Sequence, residues 1–130
     1  MPLTVMIVED EMLLAMDLED ILTDAGYRVI GNAVDMHQAI ALCEKHGQRI
    51  DIAIMDVHLA RGTSGVETAK VLRQRWNIPS LFVSGNIDEK MQALALEWAP
   101  VGFVGKPFSQ RAVLAALASV VSSGTAAQAV

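Results

Sequence analysis

The sequence predicts an α/β domain in which a five-stranded parallel sheet carries helices on both faces. Three observations support this. Short, mostly apolar runs such as LTVMIV, IDIAIM and SLFVS have the length and character of strands buried on both faces. The segments between them place apolar residues at helical spacing. The joining loops are short, as in repeated βα units.

The first run, Leu3 to Val8, ends abruptly at Glu9-Asp10-Glu11. A helical pattern follows, with Leu14, Leu18, Ile21, Leu22 and Ala25 on one face and Asp17, Glu19, Asp20 and Asp24 off it. Gly26 is placed to stop that helix. Arg28–Val34 reads as the second strand and Met36–His46 as the second helix. Ile50–Met55 is the third strand, ending on Asp56, and is followed by the turn-rich loop HLARGTSG. Val66–Trp76 suits a helix with Val66, Ala69, Leu72 and Trp76 inward. Pro79 opens the fourth strand, SLFVS, which runs into Ser84-Gly85-Asn86. Asp88–Trp98 is helical, Val101–Val104 is the fifth strand, and Gly105-Lys106-Pro107 breaks it. The last helix starts from Ser109 as N-cap and runs to Val121.

The chain has 130 residues and a formal charge of −5, and 52% of it is hydrophobic. That length suits one domain with a real core, expected over residues 1–123, with 124–130 as a frayed tail. The apolar content excludes disorder. The single cysteine, Cys43, excludes an internal disulfide and a cysteine-based zinc site. No run approaches the roughly 18 apolar residues of a membrane span, and the start MPLTVMIVEDE is unlike a signal peptide. With only three Lys or Arg before residue 60, the chain has no nucleic-acid footprint of its own. A cytoplasmic protein is expected.

In an open α/β sheet the functional crevice lies beyond the carboxyl ends of the strands. Here those ends deliver Glu9 and Asp10, then Asp56, Ser84 and Lys106. Converging carboxylates repel one another unless a cation sits among them, and hard oxygen donors suit Mg²⁺. A lysine adds a fixed positive charge and a hydroxyl adds a hydrogen-bond donor. Such a set is a receptor for a phosphoryl group, with a carboxylate as nucleophile. One acidic residue after a strand is ordinarily a helix cap, and one Lys-Pro is ordinarily a turn. Capping does not explain matched chemistry at so many strand ends.

These residues identify a resemblance. VMIVEDE, IAIMD, FVSG and GFVGKPF together resemble the receiver domain of bacterial two-component response regulators, over Leu3 to about Val121. The resemblance implies the flavodoxin-like strand order 2-1-3-4-5. It makes Asp56 the phosphoryl acceptor and Lys106 and Ser84 its catalytic partners. It makes Asp10, Asp56 and the main-chain carbonyl of His58 the Mg²⁺ ligands, with Glu9 acting through water. It pairs Ser84 with Phe103 as a switch, expects a cis Lys106–Pro107 peptide bond, and assigns His58 and Asn86 to tuning phosphate lifetime. The implied donor is a histidine kinase or a histidine phosphotransfer protein. The implied output is a change in the fourth helix, fifth strand and fifth helix, read by a downstream protein or by a second copy in a homodimer. Such a protein is a signalling switch rather than an enzyme, free of membrane and of direct nucleic-acid contact, and is expected here to stand alone.

The chain departs from the family pattern in three places. Glu9 replaces the more frequent Asp, and Leu59 is followed by Ala60 where many relatives have proline. The loop after Asp56 is one residue longer than usual, with Gly65 nine positions on. A phosphorylation-independent interaction module is the alternative reading, and such modules usually lack one of the acidic, acceptor or lysine residues retained here. A flavin-type cofactor site would need a Ser/Thr/Gly-rich loop after the first strand, and Glu9-Asp10-Glu11 would repel a phosphate without metal.

Overall fold

In the computed structural model, which describes residues 3–85 and 88–129, strand and helix alternate five times. The elements are β1 (Thr4–Val8), α1 (Met12–Asp24), β2 (Arg28–Ala33), α2 (Met36–His46), β3 (Ile52–Met55), α3 (Gly65–Trp76), β4 (Ser80–Ser84), α4 (Glu89–Leu96), β5 (Gly102–Gly105) and α5 (Gln110–Ala129). A single 3-10 turn occupies Gly47–Arg49, and a tight turn of positive φ lies at Ala60–Gly62. The sheet order is β2-β1-β3-β4-β5 and every pairing is parallel. Among the described residues no helix is long and apolar enough to cross a membrane.

Alternation along the strands divides the core in two. Val5, Ile7, Ile52, Ile54, Leu81 and Val83 face α1 and α5, meeting Leu18, Leu22, Val113 and Leu117. Met6, Val8, Ala53, Met55 and Phe82 face the other way, toward Ala39, Cys43, Val66, Ala69 and Leu72 of α2 and α3 and Ala95 of α4. Fully burying a side chain of this size stabilises the fold by about 1.5–3 kcal/mol, so the central strands are fixed in register by both faces at once.

Helix ends follow local chemistry. Gly26 takes φ +94°, and the bonds Gly26 N–H to Thr23 O and Tyr27 N–H to Leu22 O close a Schellman motif, which ends α1 as the glycine predicts. Asp35 caps α2 by accepting the Gln38 N–H at 2.9 Å, Ser64 caps α3 through Val66 N–H and Glu67 N–H, and Ser109 accepts the Ala112 N–H as predicted.

Several sequence expectations need correction. Ala25 is the exposed C-cap of α1, and Ala15 takes the buried place on that face while Leu14 is half-buried. Trp76 does face inward, packing half-buried against the core, with the Arg75 guanidinium 4.4 Å over its ring. α4 is shorter than Asp88–Trp98, because Asp88 serves as its cap and Ala99 turns to φ 48° soon after it ends. α5 continues past Val121 to Ala129; residues 122–129 contain no proline and three alanines, so nothing in them interrupts a helical hydrogen-bond ladder.

Candidate functional site

The parallel ladders run one residue past the ends of the strands and fix the site backbone. Glu9 N–H donates to Ala33 O at 2.8 Å, Asp56 N–H to Val8 O at 2.9 Å, and Lys106 N–H to Ser84 O at 3.0 Å. The three residues are therefore held by sheet geometry, although each lies in a loop. At this edge the sheet opens into a cleft of about 340 Å³ lined by Asp10, Asp56, His58, Ser84 and Lys106 among others.

One carboxylate oxygen from each of Glu9, Asp10 and Asp56 lies within 4.8 Å of the other two. Glu9 and Asp56 are buried and Asp10 is exposed to the cleft. The Lys106 ammonium lies 2.8 Å from Glu9 Oε1 and 3.3 Å from Asp56 Oδ2. Glu9 Oε2 accepts the Glu11 N–H at 3.1 Å, and Asp56 Oδ1 accepts the His58 N–H at 3.4 Å.

Burial dominates the titration of Glu9 and pushes its carboxyl from an ordinary 4.5 up to about 7, against the pull of Lys106 and the Glu11 N–H and with help from Asp56. Burial pulls the Lys106 ammonium down, but Glu9 and Asp56 together outweigh it and its pKa ends above the ordinary lysine value. Three oxygen donors with one lysine leave a site short of positive charge. That chemistry fits a hard divalent cation such as Mg²⁺, commonly held by few carboxylates plus water.

Ser84 is buried at the end of β4, and Phe103 on β5 is half-buried. The Phe103 ring stacks on Phe82 with centroids 5.5 Å apart and planes at 15°. A small cavity of about 70 Å³ is lined by Ser84, Phe82, Phe103, Val104 and Gly105. The Lys106–Pro107 peptide bond is cis. Asn86 lies outside the described residues. His37 is exposed and His46 half-buried on α2, away from these carboxylates, and burial holds the Cys43 thiol up at about 11, which makes it an unreactive core residue.

Sequence reasoning assembled the charged groups but missed what supports them. Gly65 is one such support: a Cβ there would sit 1.8 Å from the Asp56 carbonyl oxygen, so the start of α3 packs directly on the Asp56 backbone. The Asp35–Arg61 ion pair at 2.9 Å is another. Asp35 with Gln38 carries the spacing of a capping pair, but nothing in the sequence links Asp35 to Arg61.

The family model for the response regulator receiver domain matches residues 5–118. The chain is similar to the transcriptional regulatory protein PdtaR of Mycobacterium tuberculosis, 31% identical over 121 residues that cover 93% of this chain and 58% of that protein. It is 28% identical over 117 residues to the phyllosphere-induced regulator PhyR of Methylorubrum extorquens, covering 90% of this chain and 43% of PhyR. The signal receiver domain of a modulated diguanylate cyclase from Desulfovibrio desulfuricans G20 matches with a TM-score of 0.86 at 28% identity, over 95% of this chain and 96% of that one. The chain spans about half the length of the curated relatives it matches.

Proposed function

The chain belongs to the response regulator receiver domain family, and on that premise we propose that it accepts a phosphoryl group on Asp56. The observation that carries the reading is the meeting of three carboxylate oxygens within 4.8 Å, with the Lys106 ammonium 3.3 Å from Asp56. The donor is a histidine kinase or a histidine phosphotransfer protein, and the setting is the cytoplasm.

Asp10, Asp56 and the main-chain carbonyl of His58 would hold Mg²⁺, with Glu9 acting through water. When bound, the ion offsets negative charge on the transferring phosphoryl oxygens. An Asp56 oxygen forms the new bond to phosphorus as the bond from phosphorus to the donor breaks. Lys106, held on Glu9 and Asp56, meets the charge that develops on the phosphoryl oxygens. The Asp10 carboxylate faces the cleft and orients what enters it. His58 stands exposed at the mouth, where it borders the path of hydrolytic water and sets the lifetime of the acyl phosphate; Asn86 is assigned the same tuning role from the family resemblance.

In place of the single charge of the Asp56 carboxylate, the phosphorylated side chain carries about −1.5 to −2 charges beside Ser84. Its hydroxyl turns toward the new oxygens, and Phe103 repacks toward the cavity it shares with Ser84. Such a local rearrangement biases a two-state element. The face built from α4, β5 and α5, where Leu94 and Leu96 are exposed, passes the change to a downstream protein or a second copy of the chain. The protein thus acts as a switch or phosphoryl relay.

The test is intact-mass measurement after incubation with acetyl phosphate and Mg²⁺. Gain of one phosphoryl group, dependent on Mg²⁺ and absent in Asp56→Asn, is the expected result. No gain with any donor would overturn the reading in favour of a phosphorylation-independent interaction module.

A further inference from the structure

The loop between β3 and α3 builds a turn of its own. Arg61 and Gly62 both take left-handed backbone angles, φ 59° and 70°, and the Thr63 N–H returns to the Ala60 carbonyl at 3.2 Å. Consecutive positive φ values closed by that bond define a type I′ turn. Antiparallel pairing of His58 with Ser64, and a Leu59 N–H bond to Thr63 O at 3.2 Å, complete a miniature hairpin directly after Asp56. Glycine takes this backbone at lower cost than arginine, yet an arginine stands at the tip and makes a specific contact.

That contact runs to the corner between β2 and α2. Arg61 Nη1 donates to Asp35 Oδ2 at 2.9 Å, and the Ala60 N–H donates to the Val34 carbonyl at 3.1 Å. Asp35 is 1% exposed, and its other oxygen caps α2 through Gln38. Two residues earlier, Ala33 accepts the Glu9 N–H at 2.8 Å. One corner of the fold therefore holds both loops of the carboxylate site: the one bearing Glu9 and Asp10, and the one bearing Asp56 and His58.

We propose that the Arg61–Asp35 ion pair is a positioning device that fixes the span between these two loops and so sets how tightly the carboxylates take up a divalent cation. The inference rests on the reading of the site given above. The Arg61 side chain is 73% exposed, so the pair adds little to global stability, and its effect is confined to the geometry of the loops.

Mn²⁺ serves as the probe, its binding followed by loss of the free-ion electron paramagnetic resonance signal, with phosphoryl gain from acetyl phosphate and thermal unfolding measured alongside. Arg61→Ala is expected to weaken Mn²⁺ binding about three- to tenfold with little change in Tm. Asp35→Asn, whose amide keeps the cap on α2, should do the same. The double variant should bind no more weakly than the poorer single, because both remove one interaction. Wild-type affinity in Arg61→Ala, or losses that add in the double variant, would overturn the inference while leaving the reading of the site intact. A wild-type protein that takes up neither Mn²⁺ nor phosphoryl would overturn both.

Discussion

The Lys106 ammonium lies 2.8 Å from Glu9, closer than its 3.3 Å to Asp56, so its nearer partner is not the carboxylate proposed to react. Glu9 is also the group whose titration the fold alters most plainly, and a pH dependence follows from it. In the unfolded chain it ionises near 4.5, whereas in the fold it stays protonated up to about 7. Between those values the folded state binds the extra proton, so the stability this group contributes is fully present below about 4.5 and is lost as pH rises through about 7. A divalent cation favours the ionised carboxylates, so the rise in Tm on adding Mg²⁺ should be larger at pH 8 than at pH 6. Thermal melts with and without Mg²⁺ check this, and a Tm rise independent of pH would count against it.

Lys106→Met removes the ammonium that Glu9 and Asp56 share. The expected outcome is loss of phosphoryl gain from acetyl phosphate by at least about a hundredfold in rate, the scale at which fixed transition-state charges act. Without the lysine the Glu9 carboxyl should titrate higher still, which carboxyl carbon NMR would follow. A Glu9 titration that does not move would show that the ion pair is not formed in solution.

Gly65→Ala places a methyl group 1.8 Å from the Asp56 carbonyl oxygen, against backbone that cannot move aside without displacing Asp56. Destabilisation of about 2–3 kcal/mol is expected, read as a lower midpoint in urea. Phosphoryl gain should fall as well, even in the fraction that remains folded.

Ser84→Ala separates the chemistry from the response. Asp56, Lys106 and the carboxylate cluster stay in place, so phosphoryl gain should persist with a modest loss of rate. The Phe103 environment, followed by aromatic proton NMR, should no longer shift on phosphorylation. An unchanged shift would remove Ser84 from the switch.

Helix capping is worth about 1 kcal/mol where one side chain satisfies orphan N–H groups. Ser64 satisfies two at the start of α3. Ser64→Ala should therefore lower stability by about that amount in chemical denaturation, and Ser64→Asp should restore most of it.

Strand identity was legible in the sequence because the sheet is covered on both faces. Runs such as VMIV and IAIM have no polar member, and only a doubly covered parallel strand uses such a run at this length. The charged strand ends were legible for the complementary reason: a buried strand that terminates in a carboxylate or a lysine marks where the chain leaves the core. The end of α1 was less so, since helical spacing alone does not separate Ala25, which caps the helix in solvent, from Ala15, which packs beneath it.

The sequence by itself determined the order of elements, the two-faced core and the chemical inventory at the sheet edge, because these depend on hydrophobic periodicity and on residue type. Tertiary structure alone decided which carboxylate lies nearest Lys106, that Gly65 packs on the Asp56 backbone, and that Arg61 reaches Asp35 across 26 residues of chain. Those relationships depend on distances between loops remote in sequence, and such distances are set by the twist and register of the sheet.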